Sequence, residues 1–153
     1  MKIGGLIEQR QLAIYTIASL KDEPGTAAEV LDAFALERIN MAYITQTVDK
    51  EGNAVLSFCV DSDDVEEVDD IILNKTSVIS KHIIKRENVA LLGVYGPHFR
   101  EKPAIAVQLF KVLGEAGVNV LGISSSISTI SCVVDIQVLE RSKDALLGFF
   151  ELP

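Results

Sequence analysis

The residues best suited to chemistry lie in one turn, Asp22-Glu23-Pro24-Gly25-Thr26-Ala27-Ala28, and at one later position, Gln46. Pro24-Gly25 reads as a turn that opens a helix, whose first backbone N–H groups have no partner inside it. Those donors and the positive end of the helix dipole make a place for a carboxylate. Gly25 lets backbone approach closely. Asp22 is placed to pair with an ammonium group. Gln46 both donates and accepts, so it can read a polar side chain. Each feature also has a plain structural reading: a turn, a carboxylate at a helix start, and a polar residue on an exposed strand face.

Other reactive side chains point nowhere. His82 and His98 have no partners at ligand spacing, so no metal is expected. Cys59 and Cys132 sit in apolar runs and read as core. Ser124-Ser125-Ser126 has no base nearby, so no nucleophile is expected, and no catalytic pair can be named. The acidic run Asp61–Asp70 lacks calcium-loop spacing and reads as a solvated helix face. No Gly-rich phosphate loop ends in Lys-Ser/Thr, and no cofactor is implied.

The elements that must position the turn come in two copies. Of 153 residues, 48% are hydrophobic, enough for a packed core. A net charge of -8 argues against nucleic acid or an anionic membrane as partner, and no apolar run is long enough to span a bilayer. Two cysteines and no secretory leader lead us to expect a cytoplasmic protein. Leu12–Ile17, Pro24 and Ile39-Asn40-Met41 align with Leu91–Gly96, Pro103 and Val118-Asn119-Val120 at an offset of 79 residues. Later the offset falls to 74, through the longer turn Asp49–Asn53.

The first copy reads as strand 12–19, a helix after Gly25, strands 40–48 and 54–60, a helix from 63 to 73 capped by Ser62, and strand 78–84. The second reads as strand 89–95, helix 103–116, strands 118–126 and 130–138, and a helix capped by Ser142. The fold class is therefore α+β, two ferredoxin-like βαββαβ units. The second copy lacks a last strand, and 2–7 is a strand without a unit, so the N-terminal strand is expected to complete the second unit's sheet. The expected domains are 8–86, and 1–7 with 87–153.

Asp22-Glu23-Pro24-Gly25-Thr26-Ala27-Ala28, Ile39-Asn40-Met41 and Ile44-Thr45-Gln46 resemble the ACT domain pattern. The tandem resembles the regulatory pair of aspartate kinases, including the β subunit of a two-subunit enzyme. Val118-Asn119-Val120 through Ser126 and Ile130–Val134 carry the resemblance in the second copy. Ala42, Leu121, Ala104, Ile127 and Lys102 depart from it, so the first pocket looks intact and the second altered.

The resemblance implies a non-catalytic protein that binds a small amino acid between ACT domains for allosteric control. Its ligand residues would be Asp22, Pro24, Gly25, Thr26, Ala27 and Gln46, with Asn119 and Val120 supplied by a partner chain. It implies a homodimer or higher homo-oligomer, and a catalytic kinase subunit as a second partner. A dimerisation module with a dead pocket is the third reading.

Overall fold

The structure, a computed structural model, describes residues 1–20, 23–74, 82–97, 99 and 104–153. The elements run β1 (Gly5–Leu20), α1 (Thr26–Leu36), β2 (Met41–Val48), β3 (Ala54–Asp61), α2 (Val65–Asn74), β4 (Ile83–Tyr95), α3 (Ile105–Glu115), β5 (Gly122–Ser125), β6 (Thr129–Asp135) and α4 (Leu139–Phe149). They divide into two compact units, Leu12–Glu87 and Met1–Gln11 with Asn88–Pro153.

In the unit Leu12–Glu87 the strand order is β2-β3-β1-β4, with β3 antiparallel to both β1 and β2. Alternate residues of β1 (Ala13, Tyr15, Ile17) and of β3 (Leu56, Phe58, Val60) face the helices, as the two-residue period of a strand requires. Val30 and Phe34 of α1, four apart on one helix face, meet them together with Val68, Ile71 and Ile72 of α2. The other unit repeats the plan in the order β1-β4-β6-β5. Ala90, Leu92 and Val94 face Leu109 and Leu113 of α3 and Leu146 of α4. This is the α+β, twice-ferredoxin-like architecture. The N-terminal strand completes the second unit's sheet, with Gly4 N–H bonded to Tyr95 O at 2.7 Å.

Several sequence expectations need correction. The separate strands 2–7 and 12–19 are one strand, β1, and the residues between them continue it. Lys2 instead makes an isolated parallel bridge to Glu151. Strand 78–84 and strand 89–95 are likewise one strand, β4; Val78 to Lys81 lie outside the described residues. Strand 118–126 shortens to Gly122–Ser125, and 130–138 to Thr129–Asp135.

Ser62 is not a cap. The carboxylate of Asp61 accepts from Asp63 N–H at 2.9 Å, and a 3-10 turn over Ser62–Asp64 precedes α2. Asp135 does the same for Gln137 N–H before the turn Ile136–Val138. Ser142 lies inside α4 and donates to Val138 O at 2.7 Å, the back-bonding available to a helical serine. At both places the cap is the last residue of the preceding strand, Asp61 or Asp135, and each serine stands beyond it.

The repeat offset also changes. Leu12 lies opposite Asp61 and Val89 opposite Asp135, so the equivalent of Leu12 is Val89, at an offset of 77 and not 79. Both alignments keep the apolar face, because a shift of two residues leaves a strand's faces unchanged.

The helix ends give a stability prediction. Arg38 has φ 58 at the end of α1, where Ile39 N–H bonds Phe34 O at 3.1 Å. The equivalent in the other unit is Gly117, φ 74, with Val118 N–H bonded to Leu113 O at 3.0 Å. Left-handed backbone suits glycine and strains arginine, so Arg38→Gly is expected to stabilise the protein by about 1 kcal/mol. A higher urea midpoint at unchanged slope is the check.

Candidate functional site

The Pro24-Gly25 turn delivers α1 with its N-terminus open. Gly25 precedes the helix at φ 90, ψ -8, and no side chain caps it. A Cβ there would meet nothing within 4 Å, so glycine is required by the backbone angle and not by space. Thr26 N–H bonds Glu23 O at 3.2 Å, and Glu29 N–H bonds Gly25 O at 2.9 Å. Between them, the N–H groups of Ala27 and Ala28 have no partner among the described residues. Two free amides at a positive helix end are a binding place for a small anion.

Gln46 lies on β2, opposite Leu56 of β3, with its side chain exposed. The fold brings it to the turn: Glu23, Pro24, Gly25, Ala27, Ala28 and Gln46 line one open cleft of about 570 Å³. Of the sequence-predicted residues, Pro24, Gly25, Ala27 and Gln46 are therefore brought together. Thr26 is half-buried at the helix start and is not part of that lining. Asp22 lies outside the described residues. Asn119 and Val120 belong to the other unit, ahead of β5, with Asn119 exposed and Val120 packed on that unit's core. Glu23 and Ala28 line the cleft without having been singled out, although both stand inside the turn motif. Glu23 adds a carboxylate to a lining that also holds the backbone of Ala27 and Ala28, so the cleft carries both signs of polarity.

The equivalent place in the other unit is built differently. Ala104 precedes α3 at φ -84, ψ -4, an ordinary right-handed conformation, and the register makes Ser125 the equivalent of Gln46. The left-handed entry that opens α1 is absent there.

A second cleft, of about 300 Å³, is lined by Tyr15, Asp69, Ile72, Leu73, Ile83 and Lys85. Tyr15 Oη donates to Asp69 Oδ1 at 2.7 Å, and Lys85 Nζ donates to Asp69 Oδ2 at 2.8 Å. Burial, then the hydrogen bond to Asp69, pushes the Tyr15 hydroxyl above its ordinary range, so it stays a proton donor. These groups satisfy one another, and the sequence had not singled them out.

Cys59 and Cys132 are buried, and burial pushes each thiol from 9.0 up to about 12. The unfolded thiols ionise first. Their contribution to stability is therefore full below about pH 9 and is lost as pH rises toward 12. At pH 8 a thiol reagent is expected to label neither cysteine in the folded chain and both after unfolding. Among the described residues no helix is long and apolar enough to cross a membrane.

The ACT domain profile matches residues 14–72, and a second ACT domain profile matches residues 92–148. The chain is 27% identical over 150 residues to an aspartokinase of Helicobacter pylori, covering 98% of this chain and 37% of that protein. It thus spans a little over a third of the length of the curated relatives it matches. The crystal structure of the regulatory subunit of aspartate kinase from Thermus thermophilus, in its ligand-free form, superposes with a TM-score of 0.87 at 23% identity, covering 99% of this chain and 100% of that one. A structure of aspartokinase alpha and beta subunits gives a TM-score of 0.84 at 24% identity, covering 95% and 97%. With its two units matched one after the other, the chain belongs to the ACT domain family as a tandem of two ACT domains.

Proposed function

We propose that this chain is a non-catalytic regulatory protein that binds a small amino acid at the Gly25–Gln46 cleft and so controls amino-acid metabolism allosterically. The observation that carries the reading is the pair of amides at Ala27 and Ala28, unpartnered among the described residues, in the lining of a cleft that also holds Glu23 and Gln46. The amides take the ligand's carboxylate, Gln46 takes its polar side chain, and Asp22 takes its ammonium group. Asn119 and Val120 of a second copy close the cleft in a homodimer or higher homo-oligomer. Binding that bridges two copies converts ligand concentration into a quaternary shift.

A second reading makes the chain the regulatory subunit of an aspartate kinase. It is favoured by the likeness, over the whole of both chains, to the Thermus thermophilus regulatory subunit.

Thermal unfolding with each of the twenty amino acids at millimolar concentration tests the first reading. One small amino acid is expected to raise the melting temperature, since a ligand of the native state stabilises it. Calorimetric titration should then give one ligand per chain, because α3 lacks the left-handed entry. Silence across all twenty would leave a dimerisation module. Co-purification of a catalytic chain from the native source tests the second reading.

A further inference from the structure

The repeat extends into the strands that close each sheet. Leu6-Ile7-Glu8-Gln9-Arg10-Gln11-Leu12-Ala13 matches Ile83-Ile84-Lys85-Arg86-Glu87-Asn88-Val89-Ala90 at the offset of 77 that the register defines. Gln11 and Asn88 even share a left-handed φ of 59, and each unit's boundary falls there. The apolar positions of the two closing strands are interchangeable: Leu6 with Ile83, and Ile7 with Ile84.

Their charges are not. Lys85 of β4 pairs with Asp69 of α2 at 2.8 Å. At the equivalent place Glu8 of β1 pairs with Lys143 of α4 at 2.9 Å. Asp69 and Lys143 are equivalents, since α2 begins at Val65 and α4 at Leu139. The same strand-to-helix tie is thus made twice with opposite polarity. Arg10, which bonds Glu8 at 2.6 Å and also pairs with Glu140, has Glu87 as its equivalent.

We propose that this reversed polarity reserves the sheet of the Met1–Gln11 and Asn88–Pro153 unit for its own closing strand, residues 5–11. With near-identical apolar residues, either strand could complete either sheet, in the same chain or by exchange between two copies. Docking of 83–87 in the place of 6–10 would set Lys85 against Lys143 and Glu87 against Glu140. The converse would set Glu8 against Asp69 but bring Arg10 to Glu66, the equivalent of Glu140, so the discrimination falls on the sheet that 5–11 closes. An exposed ion pair contributes little to stability, but exchanging an attraction for a repulsion separates right from wrong by the sum of both. The ties select a partner more than they strengthen the fold, and they do so with side chains outside the proposed ligand cleft.

Hydrogen exchange of the amides of residues 5–11 in the full chain tests the proposal. Glu8→Lys with Arg10→Glu gives the first strand the polarity of the second. Exchange should then become at least about tenfold faster, while Glu8→Ala with Arg10→Ala stays within about threefold of the starting protein. Adding Glu140→Lys and Lys143→Glu to the reversal should restore protection. If the reversal exchanges like the alanine pair, the proposal fails. If the four-residue variant does not recover, it fails also, and that arm decides the matter even when the two-residue variant does not fold.

Discussion

Phe58→Ala is expected to cost about 3–5 kcal/mol, the largest loss from any single truncation we propose. Phe58 is fully buried in β3, stacked on Tyr15 with ring centroids 5.4 Å apart and tilted against Phe34 at 5.1 Å. One ring therefore joins β1, β3 and α1. Its removal leaves a void that Val30 and Ile71, held on separate helices, cannot both collapse to fill. Phe58→Leu keeps most of the volume and should cost less than about half as much. A loss of this size consumes much of the stability of a small unit. With no tryptophan in the chain, far-ultraviolet circular dichroism in urea is the direct readout. The expected result is a midpoint lowered by well over 1 M for alanine. Equal, small shifts for alanine and leucine would show that the ring does not bear this load.

The equivalents of Tyr15, Phe34 and Phe58 in the other unit are Leu92, Leu113 and Cys132. Both trios face the helices, so the topology repeats while the filling differs. That difference marks how far the sequence could be read. Alternation in β1 and β3 and helical spacing in α1 define elements and faces, because burial of one face imposes a period. Periodicity does not register a shift of two, so Leu12 aligned as well with Leu91 as with its true equivalent Val89. It also failed to show that β1 and β4 run unbroken through the polar stretches Glu8–Gln11 and Lys85–Asn88. Charged residues there suggest a loop, yet the strand continues, with its exposed side chains tied to helices. Capping was misplaced for a related reason: Asp61 and Ser62 can both accept a backbone N–H, and the choice depends on a 3-10 turn that spacing does not display. In the cleft, Gly25 was legible as the glycine between a turn and a helix, and Gln46 only through the likeness of Ile44-Thr45-Gln46 to the ACT pattern, since an amide on an exposed strand face is otherwise ordinary. Glu23 was not, since its role comes from where β2 falls relative to the turn.

Ala28→Glu should separate the fold from the proposed ligand more sharply than any deletion, because it moves the two in opposite directions. Ala28 is exposed in the first turn of α1, and its N–H is one of the two donors without a partner among the described residues. A glutamate at this third helical position reaches back toward the start of the helix and meets its positive dipole, so the unliganded protein should gain about 0.3–1 kcal/mol. The same carboxylate stands where the proposed reading puts the carboxylate of an amino acid. Two like charges about 4 Å apart near a protein surface repel by roughly 4 kcal/mol, so affinity should fall at least tenfold and the ligand-induced rise in melting temperature should vanish. Gln46→Ala, which removes one uncharged contact, should weaken binding by less, about three- to tenfold, with the melting temperature of the unliganded chain unchanged. Ala28→Gln holds the same length without the charge and should keep most of the response. A variant Ala28→Glu that unfolds at a higher temperature and still responds to the amino acid like the original protein would place the carboxylate elsewhere and remove the Gly25–Gln46 cleft as its site.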